Sequence, residues 1–338
     1  MANVVGQYID QIMTAELRPI GNMPRGVAHL LYEAVRKRSS APLSTQMAES
    51  IIGCVASGDR VLILCGAGGY PSLPTGEVDG ILGAVALARV LTLGLGVEVH
   101  IATVERFIEP LKAVLRAAEL NLKIDSNDRR VDAVSLHISP EDDAAGQKFS
   151  ERILDELSPA AVIAIELLSV NDKGVIHGAT GNPWHEVHYD AAPLFEMARD
   201  RNILTCGIGD AGNEVGFGAI TEVKTIQPAG EKCRCNCGGG IASAVVADVV
   251  LTAAISDWGG YAVTALIAFI IKRPDLLVTA DYVERILKAA IDAGLVCGWN
   301  ARPTLSDDGV PLEAQRAAVT LMQTAVLQAL STVNSPSH

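Results

Sequence analysis

Residues 60–104 read RVLILCGAGGYPSLPTGEVDGILGAVALARVLTLGLGVEVHIATV. RVLILC is a short apolar run that enters GAGG, the pattern of a buried strand meeting a glycine turn. GEVDGILGAVALARVLTLGLG (76–96) reads as a helix with an acidic first turn, and VEVHIATV (97–104) as a second strand. Strand, helix and strand in close succession make a βαβ unit, which implies a parallel sheet.

The pattern repeats downstream. ERFIEPLKAVLRAAEL reads as a helix, DAVSLHIS (132–139) as a strand, and EDDAAGQKFSERILDEL (141–157) as a helix. AAVIAIELL (160–168) is a fourth strand, DAAPLFEMARDR (190–201) a helix, and NILTCGIGDAGNE (202–214) a fifth strand with its loop. Upstream, GVAHLLYEAVRKR places Val27, Leu30, Leu31 and Ala34 on one helical face, and TQMAESIIGCVASG ends at a glycine stop. The apolar runs 241–256 and 262–271 read as buried helices, too short or too interrupted by Asp248 to span a membrane.

The expectation is one large α/β domain over 1–338, a doubly wound, mostly parallel sheet with helices on both faces (three-layer α/β/α). A helical N-terminal segment (about 8–58) precedes the core (about 59–260), and C-terminal helices (about 261–331) follow it. Composition agrees. Of the 338 residues 49% are hydrophobic but only 4% aromatic, so the core is built from Ala, Val, Ile and Leu.

The formal charge of −12 excludes nucleic acid and anionic membrane as partners and leaves a small-molecule substrate. Seven cysteines and the absence of a secretory pattern at the N-terminus predict free thiols in a reducing cytoplasm. The apolar C-terminal helices would support a homo-oligomer.

Three loops leave the carboxyl ends of strands, where ligands of such sheets bind. They are GAGGYPSLPTGEVDG, the stretch from Glu166 to Asp190, and GIGDAGNEVGFG (207–218). In the last, Gly207, Gly209 and Gly212 match the dinucleotide fingerprint, but Asp210 and Glu214 would repel a pyrophosphate, so no nucleotide cofactor is expected. Asp210, Asn213 and Glu214 offer oxygen donors suited to Mg²⁺ or Mn²⁺, or carboxylates beside a substrate ammonium. Capping of a following helix is the structural alternative. Glu77 and Asp79 follow a stiff glycine–proline loop, and Glu166 is an acid at the end of an apolar strand, where burial is costly unless it is paired or used. His185 and His188 stand at i,i+3 without a zinc-protease pattern. Cys233, Cys235 and Cys237 (CRCNCGGG) lack paired C-x-x-C knuckles, so no zinc or iron–sulfur site is expected. Of the three, only Cys237 before Gly238–Gly240 has the look of a site residue. In DWGGYA, Asp257 and Trp258 are candidates to face a pocket.

CGIGDAGNEVGFG, CGGGIASAVVADVV and ISDWGGYAV, in that order, resemble the C-terminal domain of the D-glutamate cyclase family. GAGGYPSLPTGEVDGILGAVALARVLTLG and AIELL are similar to its upstream motifs, over most of residues 25–305. The chain departs from the family between Glu166 and Asp190, where it has no arginine, and at Asp257, where asparagine is expected. The resemblance implies reversible dehydration of D-glutamate, or a related amino or lactam acid, to 5-oxo-D-proline. It implies Glu166, Asp210 and Glu214 as the reactive cluster, with Glu77, Asp79, Asp210 and Glu214 around a Mg²⁺ or Mn²⁺ ion. Gly68, Gly69, Asn213, Gly238, Gly239, Asp257 and Trp258 would orient the substrate. Two other readings stay open: a Mg/Mn-dependent hydrolase such as a phosphatase, and a binding protein without catalysis.

Overall fold

The structure, a computed structural model, describes residues 1–19, 24–125 and 127–333. Three helices open the chain: α1 (Ala2–Met13), α2 (Val27–Arg36) and α3 (Leu43–Cys54). The central strand β1 (Arg60–Cys65) then leads through α4 (Ile81–Leu95) to β2 (Glu98–Thr103), through α5 (Ile108–Ala117) to β3 (Asn121–Leu122), and on to β4 (Ala133–Ile138). From there α6 (Asp143–Leu157) crosses to β5 (Ala161–Ile165), α7 (Ala192–Asp200) to β6 (Leu204–Gly209), and a long segment holding α8 (Val223–Ile226) to β7 (Val249–Thr252). The chain closes with α9 (Ser256–Ile270), α10 (Ala280–Asp292), the hairpin β8 (Ser306–Asp307) and β9 (Val310–Pro311), and α11 (Leu312–Val333).

The seven strands β1–β7 form one parallel sheet in the order β3-β4-β2-β1-β5-β6-β7. At its centre Ile63 lies between Ile101 and Ile163, and β1 is buried after its first residue. The chain winds outward from β1 in one direction, returns, and winds outward through β5, β6 and β7 in the other. Right-handed crossovers place helices that join strands in opposite directions on opposite faces. Hence α4 and α5 cover one side, α6 and α7 the other, and the layers are α/β/α. The reversal between β1 and β5 is the topological switch point, and it opens a crevice at the carboxyl ends of the strands.

α9 lies against α4 at a glycine crossing. A Cβ on Gly260 would stand 2.7 Å from the Gly83 Cα, and one on Gly83 would stand 3.0 Å from the Asp257 Cα. Backbone-to-backbone approach of this kind brings the N-terminus of α9 to the crevice.

Four details depart from expectation. Residues 241–256 are not a helix: they contain β7, paired with β6 from Cys206↔Val249 to Gly209↔Thr252. An apolar run of that length suits either state until an open sheet edge offers it a partner. Glu77 and Asp79 precede α4 rather than occupy its first turn, because the helix starts only after Gly80, which takes a left-handed conformation. Leu30 points outward, 51% exposed, while Val27, Leu31 and Ala34 are buried. No helix follows the 207–214 loop directly, so neither Asp210 nor Asn213 caps one. Among the described residues, no helix is long and apolar enough to cross a membrane.

Candidate active site

A cavity of about 320 Å³ opens at the switch point, within the range of small-ligand sites. The three predicted loops converge on it: Ser72, Leu73 and Glu77 from the first, Glu166, Thr180 and Trp184 among others from the second, and Asp210, Ala211 and Asn213 from the third. Residues 298–301 and Asp308 form a fourth wall, and Arg18 enters from the N-terminal segment.

Arg18 is the cation among the lining side chains. Its Nη1 donates to Asp210 Oδ2 at 2.5 Å and to Asp308 Oδ2 at 2.8 Å. Burial opposes its charge, yet the two carboxylates more than offset that and hold the guanidinium firmly ionised. A cation therefore reaches the site from a distant segment, where the 167–189 stretch supplies no arginine.

Glu166 directly follows β5 in a left-handed backbone conformation (φ 45°), a strained state for a residue with a Cβ that is typical of functional positions. Its Oε2 accepts from Ser256 Oγ at 2.5 Å. A side chain on Gly80 would collide with the Glu166 Cβ at 2.5 Å, so glycine there makes room for the acid. Burial raises the Glu166 carboxyl well above the usual range, and Asp210, Glu214, Asp79 and Glu77 push it further. Burial likewise raises Asp210 against the opposing pull of Arg18. Burial, with Asp308 and Asp257, pushes Glu77 up to about 8.

Asp79 is committed to architecture as well as to the site. It accepts from the backbone N–H groups of Gly80, Asp257 and Ser256 at 2.7–3.0 Å. The last two are orphan donors at the start of α9, whose own N-cap, Ile255, offers no acceptor. Asp257 in turn accepts from the Gly83 N–H at 2.5 Å, and burial raises its carboxyl. Asp307, buried beside it, is raised for the same reason.

Glu214 lies elsewhere than expected. Its carboxylate accepts from the N–H groups of Asp210, Ala211 and Gly212 at 2.7–3.1 Å and does not line the cavity. The anion cradle that the glycine pattern advertises is thus filled by the loop's own side chain. A Cβ on Gly207 would come within 2.2 Å of the Val215 oxygen, so that glycine serves the loop's return on itself. Asn213 does face the cavity: its Nδ2 donates to the His177 oxygen at 2.8 Å, while its Oδ1 is buried without a partner.

Other predicted residues sit away from the cavity. The Gly68 N–H is taken by His188 Nε2 at 3.2 Å, and Gly69 packs beside Trp184 and Val187. Gly238 and Gly239 belong to the cysteine loop, where the Gly239 N–H reaches Cys237 Sγ at 3.4 Å. Trp258 is buried, donates from Nε1 to Gln315 Oε1 at 2.5 Å, and lines a separate groove with Tyr8 and Leu17. The His185 side chain lies outside the described residues, and His188 stacks on Trp184. The three cysteines do assemble, together with His177, contrary to the reading from spacing.

Arg18, Asp307 and Asp308 were not foreseen. All three lie outside the three loops that the sequence pattern marks, and no motif singles them out.

Oxygen atoms of Asp79, Glu166 and Asp210 lie within 4.8 Å of one another, as do those of Asp79, Asp307 and Asp308. So many buried carboxyls cannot all stay ionised against one arginine; protons or a cation must meet them. Oxygen donors grouped in this way could hold a metal ion.

A comparison with curated proteins found no match. A family model described as D-glutamate cyclase-like, C-terminal, matches residues 9–323. That span holds Arg18, all three loops and the 298–308 wall, and the chain belongs to the D-glutamate cyclase-like, C-terminal family.

Proposed function

We propose that the protein is a lyase that interconverts D-glutamate, or a closely related amino acid, with its cyclic lactam, 5-oxo-D-proline. The convergence of Glu77, Glu166 and Asp210 with Arg18 and Asn213 in one small cavity, in a chain of this family, carries the reading.

The proton balance of the reaction suits that set. In cyclisation the substrate ammonium gives up two protons as the C–N bond to the carbon of the γ-carboxyl group forms, and the oxygen departing from that carbon takes up two as it leaves as water. No net proton is consumed, so the site needs carboxylates that accept protons on one side of the substrate and return them on the other. Glu166 and Asp210 face the cavity for this work, with Glu77 beside them. The partnerless Oδ1 of Asn213 accepts from the substrate nitrogen. Arg18 restrains Asp210 and Asp308 and keeps the anionic wall from repelling a substrate that carries two carboxylates.

Asp79, Glu166 and Asp210 would hold a divalent cation, which would polarise the γ-carboxyl oxygen. Glu214 is left with the loop-shaping role that its three backbone hydrogen bonds give it.

The test is incubation with D-glutamate, L-glutamate and 5-oxo-D-proline, with Mn²⁺ or with EDTA, followed by chiral chromatography. Interconversion of the D pair alone, lost in EDTA, is expected. No turnover of any of the three, with Mn²⁺-dependent release of phosphate from a phosphoester panel, would move the site to the hydrolase reading.

A further inference from the structure

The second and third cavity loops are unusually long. Apart from isolated β-bridges such as Leu168↔Glu214, residues 166–191 hold a single 3₁₀ turn at His185–Val187, and residues 210–248 hold α8. Irregular segments of that length in a compact fold need something besides secondary structure to hold them.

They meet at a cluster of soft donors. His177 Nε2 lies 3.3 Å from Cys235 Sγ and 3.8 Å from Cys237 Sγ, while Cys233 Sγ lies 3.3 Å from Cys235 Sγ and 3.4 Å from Cys237 Sγ. All four atoms fall within 4.8 Å of one another. A tetrahedral zinc at about 2.3 Å from sulfur and 2.1 Å from nitrogen would have donor–donor edges of roughly 3.5–3.8 Å. The sulfur spacings exceed a disulfide bond of about 2.05 Å by more than an ångström. Around the cluster, Cys237 Sγ accepts from the Gly239 N–H at 3.4 Å and from Asn171 Nδ2 at 3.6 Å, the kind of donors that support a metal thiolate. The Arg234 N–H to Gly181 oxygen bond (2.9 Å) and the Asn171 Nδ2 to Gly240 oxygen bond (2.7 Å) tie the same two loops on either side.

We propose that His177 Nε2 and the thiolates of Cys233, Cys235 and Cys237 bind one structural Zn²⁺ that staples the two loops together. Four protein donors of soft thiolate and imidazole character close the coordination shell, which marks a structural rather than a catalytic metal. Binding releases the three thiol protons to solvent, and the imidazole stays neutral with its proton on Nδ1. The staple bears on the cavity through short links: the His177 oxygen holds Asn213, and Gly178, Ala179, Thr180 and Asn182 are wall residues. This metal is separate from any ion held by the carboxylates.

The test uses the full chain, prepared without a polyhistidine tag and desalted, with metals measured by plasma mass spectrometry. One zinc per chain is expected, retained through EDTA dialysis that strips Mn²⁺ and released by a mercurial that caps thiols. Co²⁺ in its place should give thiolate charge-transfer bands and the visible bands of a tetrahedral ion. Cys233→Ser and His177→Ala should lose the zinc, whereas Cys54→Ser and Glu166→Gln keep it. If the ligand variants do not fold, mercurial release and the cobalt spectrum of the unmodified chain still decide. A chain with neither zinc nor a cobalt–thiolate spectrum overturns the proposal, as does one with iron there, or one two hydrogens lighter in mass from a disulfide.

Discussion

Glu166 and Glu214 are both buried glutamates beside the same aspartate, and their surroundings give them opposite work. Glu214 spends its carboxylate on three backbone N–H donors; Glu166 has one hydroxyl donor, a strained backbone and a raised carboxyl. Glu214→Gln sets an amide NH₂ against N–H groups that need an acceptor, and we expect a cost of about 1–3 kcal/mol, read as a lower melting temperature. Glu166→Gln keeps an acceptor for Ser256 and removes a carboxyl that burial disfavours. It should leave stability equal or higher while turnover falls by at least ~100-fold. Thermal melts and kinetics on the two variants check the contrast; equal losses of stability in both would overturn it.

Between elements, the α4–α9 crossing and the β2–β4 pairing carry the sharpest expectations. A methyl on Gly83 would stand 2.6 Å from Ile165 Cδ1 and 3.0 Å from the Asp257 backbone. Gly83→Ala must push α9 away, at about 2 kcal/mol, and should weaken activity too, since α9 carries the N–H groups that fix Asp79. On the far side of the sheet, His100 Nδ1 lies 2.9 Å from His137 Nε2. Burial, then His137, Lys123 and Arg60, lower His100 to about 4, against the opposing pull of Glu98. The unfolded chain takes up this proton near pH 6.5 and the folded chain resists it. Stability from this site is therefore full above about 6.5 and drains away as the pH falls towards 4, by up to ~3 kcal/mol. Denaturant melts across that window should show the slope, and His100→Gln should flatten it.

At the scale of the molecule, the site is closed by both ends of the chain. Arg18, just after α1, and Asp308, just before α11, are joined by a 2.8 Å ion pair, so the site depends on the whole sheet and its outer helices being in place. A cation bound to the crowded carboxylates should in turn stabilise the fold. Saturating Mn²⁺, at about 100 times its dissociation constant, should add roughly 2.7 kcal/mol and raise the melting temperature. Asp210→Asn should reduce that gain sharply. An identical shift in the variant would place the ion elsewhere.

The alternation of strands and helices, the parallel sheet and the three converging loops were legible in the sequence, because each rests on local periodicity and on glycine turns. Glu77, Glu166, Asp210 and Asn213, which line the cavity, each had a local signal: a stiff glycine–proline loop before Glu77, an apolar strand before Glu166, and oxygen donors in a glycine-rich loop for Asp210 and Asn213. β7 was not legible, since an apolar run of small residues becomes a strand only when β6 presents an edge to it. Nor was Arg18, nor the approach of His177 to three cysteines whose own spacing follows no knuckle pattern. Sequence by itself determined the layers and most of the acids, because neighbours along the chain dictate them. Only the tertiary structure decided which acid is spent on the backbone, which cation answers the rest, and which loops meet. Those contacts join residues far apart in the chain, and no local pattern records them.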